Sequence, residues 1–159
     1  MCNDLKGDIF LNQKQKFKYA EKCLYEYKRN LACLNVLYDD LKIAKASVDV
    51  KAQSYQQNLA SGDNVSDPVS SRVIKIEELE ERIRYLERLT KPITALIEDL
   101  NSPDVLNGSY KTSLMEIVRL FYFGQNVLEV ILKELNLTRR TFFRLRRELI
   151  YLAICYLAL

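Results

Sequence analysis

The chain has 159 residues, of which 48% are hydrophobic and 28% charged, and it carries a formal net charge of +3. Four glycines and three prolines leave few turns, which disfavours a many-stranded sheet and points to an all-α fold of long helices in one or two small domains. Without a histidine, a CxxC pair or a glycine-rich phosphate loop, the chain is not expected to be an enzyme or to hold a metal or cofactor.

Residues 1–12 show no periodicity and read as a loose lead-in. From there Phe17, Ala20, Leu24, Tyr27, Leu31, Leu34, Tyr38 and Leu41 recur at alternating steps of three and four, the seam of a coiled-coil-like helix from Lys14 to Ala46. Cys23 and Cys33 fall within this pattern and are expected to be reduced thiols packed as small hydrophobes. The stretch Val48–Ser71 is rich in Gln, Asn and Ser and contains Gly62-Asp63 and Asp67-Pro68, which reads as a polar connector.

The seam returns in Arg72–Leu100 as Ile76, Leu79, Ile83, Leu86, Thr90, Ile93, Ile97 and Leu100. Ser70 or Ser71 is the expected cap of this second helix, and Pro92 is expected to kink or split it. Glu77, Glu78, Glu80 and Glu81 read as solvated, dipole-favoured glutamates near its start rather than as metal ligands. The basic first helix and the acidic second helix are complementary, as an antiparallel hairpin within one chain or as a coiled coil between two chains. Residues 13–101 form this region, with its linker at 48–71.

The segment 101–109, with Pro103 and Gly108, reads as the boundary to a second domain at 102–159. Tyr110–Phe123 turns Leu114, Ile117, Val118 and Phe121 inward, and Gly124 marks a turn. Asn126–Leu135 is then a short helix with Val127, Leu128, Ile131, Leu132 and Leu135 mostly inward. Asn136 takes the left-handed position of a tight turn, Leu137 plugs it, and Thr138 caps the next helix. That helix buries Phe142, Leu145, Leu149 and Leu152 and presents Arg139, Arg140, Phe143, Arg144 and Arg147 on its other face. Beyond Leu149 it is apolar nearly all round, so Ile150, Leu152, Ile154, Tyr156 and Leu157 should pack on the N-terminal helices or on a second subunit. The run Leu149–Leu159 falls short of the roughly 20 residues a membrane span requires, and the polar N-terminus has no signal-peptide core. A cytoplasmic protein with no membrane partner is therefore expected.

Charge is focused where these elements meet. Thr138–Arg147 holds five arginines and no acid. A helix fits the major groove of double-stranded DNA, where residues near its N-terminal end meet base edges and flanking residues meet phosphates. Arginine serves both tasks, gripping guanine through a planar fork and displacing condensed counterions. Arg139, Arg140, Phe143 and Arg144 are the candidate base readers. Arg146 and Arg147 are candidate phosphate contacts, Thr141 either contacts phosphate or bonds within the first turn, and Thr138 at the helix start belongs to the same candidate DNA-binding set. The competing reading is a solvated basic surface, which an exposed Phe143 among arginines argues against unless its ring packs on the preceding helix.

The stretch NVLEVILKELNLTRRTFFRLRREL resembles the helix-turn-helix of sigma-factor region 4 and, more specifically, phage transcriptional regulators of the RinA/ArpU type. In those a phrase close to S-R-S-T-F-Y-R-R-R-K-R opens the recognition helix. The corresponding run here is Thr138-Arg139-Arg140-Thr141-Phe142-Phe143-Arg144-Leu145-Arg146-Arg147. Leu145 stands where a basic residue is common, and Asn136 replaces the usual turn glycine. The resemblance implies a sequence-specific activator of phage or prophage late genes for packaging and lysis. Its implied partners are promoter DNA, bacterial RNA polymerase and a second copy in a homodimer, inside the bacterial host cell. A small terminase-like packaging protein and a helical interaction protein without a DNA role are the competing functions.

Overall fold

The computed structural model describes residues 12–55, 68–102 and 108–159. Among these residues there is no strand. They form α1 (Gln13–Tyr55), α2 (Pro68–Asn101), α3 (Gly108–Ile117), a π-helical segment (Val118–Phe123), α4 (Leu128–Glu134) and α5 (Arg139–Tyr156). All but the last residue of the expected lead-in (1–12), half of the expected polar linker (56–67 of 48–71) and the centre of the expected domain boundary (103–107) lie outside the described residues. No helix among the described residues is long and apolar enough to cross a membrane.

A reciprocal cap opens α1. The Asn12 side chain accepts from the Gln15 backbone N–H at 2.9 Å, and the Gln15 side chain accepts from the Asn12 N–H at 2.8 Å. Two otherwise orphaned donors are thereby satisfied. α1 continues past Ala46 to Tyr55, nine residues beyond the expected end. Polar content there suggested a connector, but Lys51, Ala52 and Gln53 are good helix formers and no glycine or proline interrupts before Gly62. Pro68 occupies the first position of α2, where its missing N–H costs nothing, so Ser70 and Ser71 stand inside the helix rather than capping it. α2 is not split at Pro92. Two residues earlier, buried Thr90 donates its hydroxyl to the Leu86 carbonyl at 2.9 Å.

The chain divides into two compact units, Lys28–Thr90 and Met1–Tyr27 with Lys91–Leu159. In the first, α1 and α2 run antiparallel within one chain. Leu34, Leu37, Leu79 and Ile83 are buried together, with Leu41, Ala44 and Leu86 packed against them. Tyr38 donates to Glu87 Oε1 at 2.5 Å, and Lys45 Nζ lies 2.8 Å from Glu80 Oε1. The register differs from the expected seam. Leu31 and Tyr38 are 37% and 43% exposed, while Asn30 and Leu37 are buried. An α-helix turns every 3.6 residues, so a seam read at 3.5 drifts off the buried face within a few turns. Tyr38 gains by sitting at the rim, where its hydroxyl reaches Glu87.

In the second unit the start of α1 and the end of α2 pack with α3, α4 and α5. The Tyr27 ring stacks on Phe123 at 5.5 Å, and its hydroxyl lies 3.0 Å from Thr94 Oγ1. Ile117, Val118 and Tyr122 are buried. The π-helical segment that carries the last two falls within the expected Tyr110–Phe123 element, but its wider winding is not foreseen by that reading. The apolar tail of α5 packs within the same chain: Ile150, Ala153 and Ile154 are buried, and Phe17 of α1 meets Tyr151 edge-on at 6.1 Å. Tyr156 is the exception to the expected packing and stays exposed, with its phenol beside Asp99.

The register makes a direct prediction. Leu34→Ala should lower stability by about 2–4 kcal/mol in urea unfolding, whereas Leu31→Ala should cost less than about 1 kcal/mol. Equal losses would restore the seam expected from the sequence.

Candidate nucleic-acid interface

The geometry of α5 begins with the turns that precede it. In the π-helical segment hydrogen bonds span five residues, and Gly124 N–H closes on the Arg119 carbonyl at 2.9 Å. A Cβ at Gly124 would lie 2.7 Å from Asn126 Nδ2 and 3.0 Å from the Leu120 carbonyl oxygen, so a larger residue there would have to displace the Asn126 side chain from its bond to that carbonyl. Asn126 then donates both its backbone N–H and its side-chain amide to that same carbonyl, each at 3.1 Å. Val127, expected to point inward, is the N-cap of α4 and is 65% exposed. Its extended backbone swings the side chain out before the helix begins, leaving Ile131 as the fully buried anchor of α4.

α4 ends in a Schellman arrangement. Leu137 N–H reaches the Leu132 carbonyl at 3.0 Å, Asn136 N–H reaches Lys133, and Asn136 sits in the left-handed region at φ 49°. Asparagine tolerates this conformation better than other non-glycine residues. Between the end of α4 and Thr138, the N-cap of α5, the chain therefore passes through Leu135, Asn136 and Leu137 alone. Thr138 caps α5 by accepting from Thr141 N–H at 3.2 Å, and the two hydroxyls lie 2.9 Å apart. Thr138 and Thr141, both expected among the DNA-facing residues, thus have their hydroxyls engaged in the cap.

The two faces of α5 separate cleanly. Phe142, Leu145 and Leu149 are buried, and Arg139, Arg140, Phe143, Arg144 and Arg147 are exposed. Arg140, Thr141, Phe143, Arg144 and Arg147 line an open concavity of about 660 Å³. Arg139 has a carboxylate neighbour, Glu129 of α4, at 3.6 Å. Among the described residues no carboxylate pairs with Arg140, Arg144 or Arg147.

Arg146 departs from the sequence expectation. Instead of flanking the exposed face as a phosphate contact, it turns inward to pair with Glu21 of α1. Its guanidinium lies 5.7 Å from the centroid of the Phe121 ring. Tyr122 donates to the same Glu21 oxygen at 3.4 Å, and burial pushes the Tyr122 phenol far above its ordinary range despite the opposing field of Arg146. The phenol is therefore a neutral donor at any physiological pH. The surrounding rings make a connected set: Tyr25 on Phe121 and Tyr122, Phe121 on Phe142, and Phe142 on Phe143 at 5.5 Å. Tyr110 of α3 adds a brace by donating to Glu148 at 2.8 Å. Glu21, Phe121 and Tyr122 thus position α5, a role the sequence did not signal because Glu21 stands among lysines with nothing to mark it as part-buried.

No family model, curated protein or solved structure matches the chain.

Two substitutions test this arrangement. Thr138→Ala should cost about 1 kcal/mol in thermal or urea unfolding through loss of the cap. Arg146→Met, which retains the aliphatic stem, should lower stability by about 2 kcal/mol because Glu21 is left part-buried without its partner. Unchanged stability in Arg146→Met would remove Arg146 from the positioning role.

Proposed function

We propose that α4, its three-residue turn and α5 act as a helix-turn-helix that binds double-stranded DNA sequence-specifically, with the exposed face of α5 in the major groove. The observation that carries this reading is the division among the five arginines of α5. Arg146 is held part-buried by Glu21 and Arg139 leans on Glu129, while Arg140, Arg144 and Arg147 share one face without a carboxylate partner among the described residues. Three unneutralised guanidinium groups around an exposed ring repel one another unless a polyanion covers them. The short capped turn supports the reading by fixing the N-terminal end of α5, the part that meets base edges in such modules.

The resemblance to RinA/ArpU-type regulators extends the proposal to a transcriptional activator of phage or prophage late genes. In that role the protein works in the bacterial host cytoplasm, on promoter DNA together with RNA polymerase. Footprinting on the genome that encodes the chain should give protection upstream of such genes. In solution a regulator of this kind is a monomer or dimer, and a large closed ring by mass measurement would contradict it.

The binding face itself is tested by substituting Arg140, Arg144 and Arg147 to alanine. Each replacement should weaken duplex binding and lower the slope of log affinity against log salt by about one for every phosphate left without its arginine. Removing an arginine that grips guanine should cost about 1–3 kcal/mol and relax specificity at one base pair. Arg146→Met should leave the salt slope unchanged. Undiminished binding by the triple variant would overturn the assignment.

A further inference from the structure

Phe143 is an exposed aromatic side chain set among the arginines of α5. It is 44% exposed, yet its ring is fixed from behind by an edge-on contact with buried Phe142 at 5.5 Å. Phe142 in turn meets Phe121 at 5.4 Å, the ring beneath the Arg146 guanidinium. A series of rings thus holds Phe143 at the surface, and its open side faces the concavity it shares with Arg140, Arg144 and Arg147. An aromatic ring in water among cations gains little, so its surroundings point to an apolar partner that arrives with a polyanion.

We propose that Phe143 reads the 5-methyl group of a thymine in the major groove, one base step from a guanine held by Arg140. The inference rests on the DNA-binding reading above. The thymine methyl is the only apolar group that the edges of the four bases present in that groove, and phenylalanine is among the side chains suited to it. Arg140 lies three residues before Phe143 and on the same side of the helix. At about 1.5 Å per residue the two are offset by about 4.5 Å, close to the roughly 3.4 Å rise of one base step when the helix axis follows the groove. Arg140 rather than Arg139 takes the guanine because Glu129 competes for Arg139. The subsite is therefore a fixed ring for a methyl group beside a guanidinium fork for guanine.

The test uses the full chain and duplexes selected by it from a random double-stranded library. Each thymine of the enriched sequence is replaced in turn by deoxyuridine, which removes only the methyl group. Binding of the unmodified protein should fall about three- to fivefold at one thymine adjacent to a guanine, the loss expected for one buried methyl. Phe143→Ala should bind the thymine and uracil duplexes equally, while Phe143→Leu should keep part of the preference. Thermal unfolding of both variants separates loss of reading from loss of fold. If the protein selects a sequence but tolerates uracil at every position, the methyl subsite is wrong and the DNA-binding reading stands. The same holds if a folded Phe143→Ala still prefers thymine. If no duplex is selected, both fall.

Discussion

A guanidinium held between a carboxylate and an aromatic ring sets the orientation of α5. Arg146 pairs with Glu21 and lies over Phe121, and Tyr122 donates to the same carboxylate from a buried position. Burying such a pair adds little net stability, since desolvation cancels much of the attraction. Its effect is on alternatives. Rolling α5 by one residue, about 100°, would expose Phe142 and strand Glu21 beside apolar rings. Both penalties act in the same direction, so the helix has one acceptable rotation. The exposed face of Arg140, Phe143, Arg144 and Arg147 follows from that rotation.

The arginines of α5 accordingly have different employment although they are chemically identical. Five fall within nine consecutive residues, and a helix of 3.6 residues per turn cannot place all of them on one side. The structure assigns one to the interior, one to a neighbouring glutamate and three to the surface. The turn before the helix is equally economical. A Schellman closure at Asn136 and a threonine cap at Thr138 satisfy backbone groups on both sides within three linking residues, so no slack is left between α4 and α5.

Much of this second unit could be read from the residues. Asn136 and Thr138 advertise their conformations through side-chain chemistry, and Phe142, Leu145 and Leu149 through spacing. The outward set Arg139, Arg140, Phe143, Arg144 and Arg147 follows from the same spacing. What escaped was set by partners distant in the chain. The inward turn of Arg146 depends on Glu21, 125 positions away, and no local pattern distinguishes it from Arg147. The π-helical segment closes hydrogen bonds over five residues and so takes more residues per turn than an α-helix; with Val118, Leu120 and Tyr122 all buried, its pattern fits neither the α-helix nor the strand template. The α1 seam was misread at Leu31 and Tyr38 because Leu31, Leu34, Leu37, Tyr38 and Leu41 support two overlapping stripes. Only the facing residues of α2, Leu79 and Ile83, select between them.

The separation between Glu21 and Arg146 also bears on the order in which the chain acquires its structure. Residues around Glu21 leave the ribosome well before their partners on the π-helical segment and α5, which lie 101 and 125 positions later. The hairpin of residues 28–90, whose packing partners are nearer in sequence, is complete before then and can form during synthesis. The first turns of α1 must wait, with Ala20, Leu24 and Tyr27 uncovered, until the C-terminal helices emerge. Contacts in this unit span more of the sequence than those of the hairpin, so its closure is expected to be the slower of the two.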